Sequence, residues 1–260
     1  MFMKYGIRDG MLREPLETMF TVAKEIGFDG IEYCIGGDYK DSLLWQADGP
    51  EKLKALADKD SMEISSLSPG VFSSLHPALP DAEKRAEGQK MLTHVIEVCP
   101  LLDTHDILVP MFPRDFSEWP QETWDMLVDG FKSLAEIAEN HKVTLDLETT
   151  FNADQLLMII AGIGSDYVKV YYDTANQTNR GYDVPRELRQ LGDKVGMIHA
   201  KDTDGKMLGE GRVDFENVDA AIRDIGYDGY IVLETPTGDD AKAANAQNLA
   251  FIKHNIQGRI

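Results

Sequence analysis

Four apolar segments in the second half of the chain each end in a side chain that can bind a metal ion. The segment "TLDLE" ends at Glu148, "VYYD" at Asp173, "MIH" at His199 and "IVLE" at Glu234. If these ends meet at one place, three carboxylates are crowded together, which is costly unless a cation or protons neutralise them. One imidazole, three carboxylates and no thiolate suit a hard or borderline divalent ion. We expect Mn²⁺, with Mg²⁺, Co²⁺ and Zn²⁺ as alternatives.

Each of these residues has an ordinary structural explanation when it is considered alone. A carboxylate at the end of a strand is often a helix N-cap or the partner of a cation. A histidine that ends an apolar segment is usually a hydrogen-bonded core residue. Four such residues on successive segments are harder to explain in this way, so the series favours a metal site.

The four segments belong to a regular alternation of strands and helices. Segments with helical periodicity, for example "PLETMFTVAKEIG" and "QETWDMLVDGFKSLAEIAENH", lie between short segments rich in apolar and β-branched residues. The predicted strands are 3–7, 30–35, 63–67, 106–111, 143–148, 168–173, 195–200 and 230–234. Alternating strands and helices predict parallel βαβ units.

The chain also repeats a short pattern, which suits a ring of equivalent units. "IGFDGIEY" (26–33) and "IGYDGYIVLE" (225–234) each place one glycine at a helix end and a second just before a strand. With no linker or change in composition, we predict one domain over residues 1–260, a single (β/α)₈ TIM barrel of the α/β class. The alternative is a doubly wound open sheet, but no GxGxxG follows the first strand. In such barrels the active site forms at the carboxyl ends of the strands, where the four residues stand.

Composition excludes several classes of function. The chain has 45 acidic and 26 basic residues, and the net charge of −19 opposes binding to nucleic acid or to an anionic membrane surface. No 18-residue apolar segment indicates a membrane span, and the first residues lack the apolar stretch of a secretory signal. Cys34 and Cys99 form no CxxC pair, which fits a reducing compartment. We therefore expect a cytoplasmic protein with no nucleic-acid or membrane partner.

Together, the strand ends and the loop after the seventh strand resemble a known superfamily. "LDLET", "YYDTAN", "IHAKD…GKMLGEGRVDF" and "IVLET" resemble the xylose-isomerase-like sugar (phosphate) isomerase/epimerase superfamily, and its ketose 3-epimerase branch in particular. The resemblance implies one divalent metal ion bound by Glu148, Asp173, His199 and Glu234. It also implies that Glu148 and Glu234 form the acid–base pair, and that Arg212 binds substrate.

Two positions depart from the pattern of the free-ketose 3-epimerases. Three residues after the metal-binding aspartate, those enzymes usually carry a histidine that contacts substrate, whereas this chain has Asn176, as in members that include sugar-phosphate epimerases. Six residues after Glu148, they carry a glutamate, whereas this chain has the shorter Asp154. The resemblance therefore supports the metal site and leaves a sugar or a sugar phosphate as the expected substrate.

Several further side chains are secondary candidates. Glu32 closes the second predicted strand and either reaches a substrate hydroxyl or forms an ion pair inside the rim. Lys201 follows His199 closely and either stabilises negative charge on the substrate or pairs with a carboxylate. Glu210 is a candidate to hold His199 or Arg212 in place. The loop "SPGVFSSLHPALP" (68–80) is a candidate lid whose His76 faces solvent or the lid.

The leading functional hypothesis is an isomerase or epimerase that enolises a sugar. The metal makes a carbon-bound proton beside the carbonyl acidic, a glutamate removes that proton, and the resulting enediolate stays on the ion. The alternatives are a keto-inositol dehydratase-type lyase or a hydroxypyruvate isomerase on the same scaffold. An endonuclease-four-like phosphodiesterase is a weaker alternative, because that chemistry needs several strand-end histidines. A homo-oligomer is compatible with the sequence.

Overall fold

The eight predicted strands form a closed parallel barrel in the computed structural model, which describes residues 3–114 and 116–257. Each strand pairs with its neighbours in chain order, and the first strand pairs with the eighth. The strands are β1 Lys4–Arg8, β2 Gly30–Ile35, β3 Glu63–Pro69, β4 Asp106–Met111, β5 Thr144–Thr149, β6 Val168–Asp173, β7 Val195–Ala200 and β8 Tyr230–Leu233. The predicted (β/α)₈ barrel is therefore confirmed.

Helices follow the strands and pack around the barrel. They are α1 Asp9–Leu12, α2 Leu16–Ile26, α3 Gly49–Lys59, α4 Ala82–Val98, α5 Gln121–His141, α6 Ala153–Ile163, α7 Thr174–Asn179, α8 Val184–Leu191, α9 Phe215–Asp224 and α10 Ala241–Asn255. Side-chain caps begin many of them; Asp81 accepts from two backbone N–H groups at the start of α4, and Asn152 forms a capping box with Gln155 at the start of α6. None of the helices in the described part of the chain is long and apolar enough to cross a membrane.

The barrel interior has an apolar layer directly beneath the strand ends. Leu108, Tyr171, Met197 and Val232 form a buried cluster that is separate from the main core between sheet and helices. Since side chains alternate along a strand, Tyr171, Met197 and Val232 lie on the same face as the predicted ligands two residues further on. This layer supports the four predicted ligands from below.

Two neighbouring carboxyl groups, one buried and one half-buried, lie lower in the barrel. Asp146 is fully buried two residues before Glu148, and burial followed by the neighbouring Asp106 carboxyl raises its pKa well above the usual value. Gly196 leaves room for this side chain, because a Cβ there would collide with the Asp146 carboxyl. Burial also raises the pKa of Asp106, so the two groups are suited to share a proton.

This pair predicts that Asp146→Asn stabilises the protein at alkaline pH. Because the pKa is raised in the folded state, the contribution of the Asp146 carboxyl to stability is full below its unfolded pKa of about 3.9 and is lost progressively as pH rises towards the folded pKa. An amide carries no such cost and can donate to Asp106. We expect the melting temperature of Asp146→Asn to exceed that of the wild type by a few degrees at pH 8, about 2–4 °C per kcal/mol. The difference should shrink at pH 5.

Asp228→Asn, at an exposed aspartate, is the matched control and should leave both melting temperatures unchanged. Equal destabilisation of Asp146→Asn at pH 5 and pH 8 would show that the buried carboxyl carries no pH-dependent cost.

Candidate metal centre

The four predicted ligands come together at the carboxyl end of the barrel. Each of Glu148, Asp173, His199 and Glu234 offers one ligand atom, and these four atoms all lie within 4.8 Å of one another. The Nδ1 atom of His199 lies 3.0 Å from Oε1 of Glu148 and 3.5 Å from Oε2 of Glu234. Asp173 and His199 are direct partners in the pairing of β6 with β7. The order and the register of the strands therefore place the four side chains in one small volume.

The four side chains lie at different depths. The side chains of Asp173 and His199 are fully buried, whereas 7% of the Glu148 side chain and 18% of the Glu234 side chain are exposed. An open cavity of about 290 Å³ lies above them, and both glutamates line it. The remaining lining residues are Arg8, Phe112, Thr150, Asn176 and Lys201. Of the four ligands, only the glutamates face this cavity.

A divalent cation would balance the charges at this place. Glu32 adds a fourth carboxylate to the three among the ligands, and Arg8 and Lys201 are the two cations in contact with them. Two negative charges therefore remain, which one divalent ion offsets. The Oδ2 atom of Asp173 is buried and has no hydrogen-bond partner among the described residues. The donor set and its charge thus fit a divalent metal ion.

The pKa values of Asp173 and His199 are both raised. Burial, followed by the charge of Glu148, raises the pKa of Asp173 to about 6. Burial alone would lower the pKa of His199, but the carboxylates of Glu32 and Glu148 outweigh it and raise that pKa to about 10. Both shifts favour bound protons at this place, and a divalent cation would replace those protons.

Arg8 is a residue of the site that the sequence analysis missed. The first strand was predicted to end at Ile7, but β1 continues to Arg8, whose side chain enters the rim. Its Nη1 atom donates to Oε1 of Glu234 at 2.8 Å, and its Nε atom lies 3.0 Å from Oε1 of Glu32. Arg8 therefore joins two carboxylates. The available signal was an arginine directly after an apolar strand, at the position where the other strands carry their ligands.

Glu32 lies in the interior of the barrel, beneath the cavity. It stands in the middle of β2 rather than at its end, and it is fully buried. Its carboxylate accepts hydrogen bonds from Tyr171 at 2.8 Å and Ser66 at 3.0 Å, besides its contact with Arg8. Of the two interpretations given to Glu32, the geometry favours the ion pair inside the rim, since no part of the side chain is open to a substrate.

Asn176 and Lys201, two predicted substrate contacts, lie beside the four candidate ligands. Both line the cavity. The Nζ atom of Lys201 lies 3.1 Å from Oε2 of Glu234 and 3.7 Å from Oδ2 of Asp173. Asn176 follows β6, and its backbone N–H donates to Oδ1 of Asp173. These two side chains therefore border the metal centre on the side of β6 and β7.

Arg212 and Asp154 do not line this cavity. The side chain of Arg212 is 59% exposed and donates to Asn179 at 2.7 Å, so it points along the outer rim rather than inward as expected. Asp154 lies in the first turn of α6, is exposed and accepts from Gln190.

Asp202, rather than Glu210, organises the loop after β7. Asp202 is buried, and its carboxylate accepts from the backbone N–H groups of Gly209, Gly211 and Val213. Glu210 is exposed and therefore does not hold His199. Four backbone donors, including Thr203, converge on one carboxylate, which fixes the loop that carries Arg212.

The predicted lid, residues 68–80, packs closely against two helices. Gly88 of α4 and Gly130 of α5 lie so close to Leu75 and Pro77 that a Cβ at either glycine would collide with them. His76 is buried rather than solvent-facing, and burial lowers its pKa to about 4. The correction has a simple cause, because glycines on the helices make room for a loop whose polar composition suggested exposure.

Comparison with known proteins identifies the family. Residues 20–254 match the family model described as "Xylose isomerase-like TIM barrel". The chain therefore belongs to this family, and the resemblance predicted from the sequence is confirmed.

Several curated relatives that align with most of the chain are sugar 3-epimerases. A fructoselysine 3-epimerase of Shigella flexneri is 27% identical over 242 residues, with 88% of each chain covered. A D-psicose 3-epimerase of Ruminiclostridium cellulolyticum is 25% identical over 252 residues, covering 89% of this chain and 83% of the relative. An L-ribulose-5-phosphate 3-epimerase of Escherichia coli is 25% identical over 248 residues, covering 89% and 87%. The predicted enzyme class, an isomerase, is therefore confirmed.

Solved structures agree on the fold. A D-psicose 3-epimerase from Clostridium cellulolyticum H10 with D-tagatose superposes with a TM-score of 0.84 at 20% identity, covering 98% of this chain and 100% of the other. A 3-keto-D-glucoside 4-epimerase from Escherichia coli gives a TM-score of 0.83 at 20% identity, covering 97% and 99%. At these identities the similarity shows that the fold is the same, and no more than that.

The geometry predicts one metal ion per chain and a large loss of affinity in His199→Ala. Titration of metal-free protein with Mn²⁺ by calorimetry should give a stoichiometry of one. Changes in groups that only support a ligand already cost roughly 10–100-fold in metal affinity, so loss of the ligand itself should cost at least that much. Circular dichroism should show that the barrel stays folded.

His254→Ala is the matched control, because His254 lies exposed at the end of α10. Equal Mn²⁺ affinity in the wild type, His199→Ala and His254→Ala would contradict the assignment of His199.

Proposed function

We propose that this protein is a divalent-metal-dependent epimerase of a ketose or ketose phosphate, with Glu148 and Glu234 as its acid–base pair. One observation carries the proposal. The two glutamates line the same cavity from β5 and from the end of β8, while Asp173 and His199 lie buried beneath it. This is the arrangement that two-sided proton transfer needs, with a carboxylate for each face of the reacting carbon.

The relatives support the reaction class and leave the substrate open. The three described above are named for fructoselysine, D-psicose and L-ribulose 5-phosphate, and all three are 3-epimerases. The reaction is thus shared while the substrates differ in size and charge. We therefore propose a 3-epimerase and assign the substrate to the general class of ketoses and their phosphates.

Different side chains would bind the metal ion and transfer the protons. Asp173 and His199, with oxygens of the two glutamates, would hold a divalent ion, which would supply a Lewis acid to polarise the substrate carbonyl and acidify the adjacent C–H. One glutamate carboxylate then removes that proton, and the carboxyl group of the other glutamate delivers a proton to the opposite face. Inversion at that carbon gives the epimer.

Neighbouring cations hold Glu234 in place for this role. Arg8 binds its Oε1 atom, and Lys201 lies 3.1 Å from its Oε2 atom. Burial alone would raise the pKa of Glu234, but His199, Arg8 and Lys201 lower it below the usual value, so this carboxylate is ionised and can act as a base. Lys201 also faces the cavity, where it would stabilise negative charge that develops on the substrate.

We propose that some residues contact the substrate directly and that others do so only after a rearrangement or through another group. Asn176 and Lys201 would contact the substrate directly, because both line the cavity. Arg212 would do so only after its guanidinium leaves Asn179, and Asp154 would act only through an intervening group. Phe112, which is exposed on the cavity wall, would contact the apolar face of a sugar.

The cofactor, compartment and assembly are also part of the proposal. Mn²⁺ is favoured because three carboxylates and one imidazole form a mixed oxygen and nitrogen site. A cytoplasmic location is favoured because both cysteines, Cys34 and Cys99, are unpaired and free. A homo-oligomer is proposed from the sequence alone.

A screen that follows carbon-bound deuterium tests the reaction directly. Ketoses, ketose phosphates and hydroxypyruvate are incubated with the protein and Mn²⁺ in D₂O, and the products are analysed by NMR and mass spectrometry. The proposal expects deuterium on C3 together with the inverted epimer. Deuterium on C1 or C2 with an aldose product would instead indicate an aldose–ketose isomerase, and a mass loss of one water would indicate a dehydratase.

We predict that Glu148→Gln and Glu234→Gln each reduce kcat by at least about 10³-fold at saturating Mn²⁺. An amide cannot take up the carbon-bound proton, and it binds metal weakly. The two variants should differ in which epimer still exchanges its C3 proton with solvent, since each lacks the base for one face. Glu139→Gln, at an exposed glutamate of α5, is the control and should retain full activity.

Near-normal turnover in either glutamine variant with metal present would exclude the two-sided mechanism. A one-base aldose–ketose isomerase would then be the better assignment.

A further inference from the structure

Glu32 is a buried carboxylate that has no part in the proposed proton transfers. It is fully buried, and its Oε2 atom accepts hydrogen bonds from Tyr171 and Ser66. Its Oε1 atom lies 3.0 Å from Nε of Arg8 and 3.3 Å from Nε2 of His199. These three atoms are buried and have no well-aligned hydrogen bond elsewhere in the described part of the chain, so they face one another.

The surroundings of Glu32 require that it act as an acceptor. A guanidinium, two hydroxyl groups and an imidazole nitrogen surround one carboxylate, and a carboxylate offers about four acceptor positions. The guanidinium and both hydroxyls can each donate. Since Glu32 is the carboxylate nearest to Nε2 of His199, this nitrogen must carry a proton to satisfy both atoms.

The opposite nitrogen of His199 faces the other ligands. Nδ1 lies 3.0 Å from Glu148 and 3.5 Å from Glu234, on the side of the cluster where the four ligand atoms meet. A neutral imidazole has one protonated and one bare nitrogen. If Nε2 carries the proton that it donates to the Glu32 carboxylate, Nδ1 is the bare nitrogen that can bind a metal ion.

We propose that Glu32 is a positioning residue that fixes the tautomer and the ring orientation of His199, so that Nδ1 is presented to the metal ion. This inference rests on the proposed metal site. It assigns to Glu32 an indirect role in metal binding, in place of contact with the substrate.

The local backbone independently supports this assignment. The β2–β3 pairing shifts register between Ile31 and Glu32, which brings Glu32 opposite Ser66. The β6–β7 pairing shifts between Val170 and Tyr171, the other hydroxyl donor to Glu32. Irregular pairing of this kind changes the direction of a side chain. Here the two register shifts bring the acceptor Glu32 and its donor Tyr171 together.

Arg8 extends the same network to the second glutamate. Its Nε atom contacts Glu32 and its Nη1 atom contacts Glu234, so the rigid guanidinium plane spans both carboxylates. The position of His199 is thereby linked to that of Glu234. A change in Glu32 is therefore expected to disturb metal binding more than a change in a peripheral donor.

The test combines metal affinity with the NMR spectrum of His199. Glu32→Gln and Glu32→Asp are titrated with Mn²⁺ by calorimetry, starting from metal-free full-length protein. Both should bind Mn²⁺ roughly 10- to 100-fold more weakly than the wild type, the usual effect of losing a group that orients a ligand. The aspartate variant keeps the buried charge next to Arg8, and it tests the inference if the glutamine variant does not fold.

Loading the proteins with diamagnetic Zn²⁺ allows the ring nitrogens to be observed by ¹⁵N NMR. The wild type should show His199 bound through Nδ1 with a slowly exchanging proton on Nε2. In the Glu32 variants that proton should exchange faster or disappear. A purely structural role of Glu32 would lower the melting temperature without changing these signals.

Ser66→Ala is the matched control, because it removes a donor to the other oxygen of Glu32 and leaves the contact with His199 intact. It should change Mn²⁺ affinity far less than either Glu32 variant. Wild-type affinity in both Glu32 variants, or coordination of Zn²⁺ through Nε2, would overturn the inference. Failure of the wild type to bind any metal would instead contradict the proposed function, so the two failures are distinguishable.

Discussion

The concentration of buried negative charge at one end of the barrel is the constraint on which the rest of the site depends. Four carboxylates lie in or below the rim, and removing each of them from water costs several kcal/mol unless cations and hydrogen bonds compensate. Arg8 and Lys201 compensate for two charges. The remaining charge would favour a divalent cation. Nearby carboxylates raise the pKa of His199, whereas burial, followed by the charge of Glu148, raises the pKa of Asp173.

The barrel places the four candidate ligands at different depths, so that two are buried and two reach the cavity. Asp173 and His199 are paired in register on adjacent strands and are buried, whereas Glu234 follows the last residue of β8 and lies higher. Glu148 reaches the cavity from β5. Two ligands are thus placed to hold an ion, and two are placed to meet a substrate as well. The division of roles in the proposed epimerisation follows from where each strand ends.

Much of the fold and of the candidate metal centre could be predicted from the sequence, because both depend on short-range patterns. The strands were recognisable as apolar segments, and the ligands stood at their ends. Arg8 was missed because the end of β1 was misjudged by one residue, and boundaries are the least certain part of such predictions. The role of Glu32 depends on two register shifts, which no local pattern reveals. The orientations of Arg212 and His76 could not be predicted for another reason, because the direction of a loop side chain is set by tertiary partners such as Asn179 or the glycines of α4 and α5.

The most direct test of the account is to locate the ion in a crystal of the protein grown with Mn²⁺. Anomalous diffraction at the manganese absorption edge should give one strong peak per chain, in contact with Glu148, Asp173 and Glu234 and on the Nδ1 side of His199. Such a peak would establish that the charge at the rim is there to bind a metal ion. No peak at this place, in crystals whose anomalous signal is otherwise measurable, would contradict the account, and so would a peak bound to other residues.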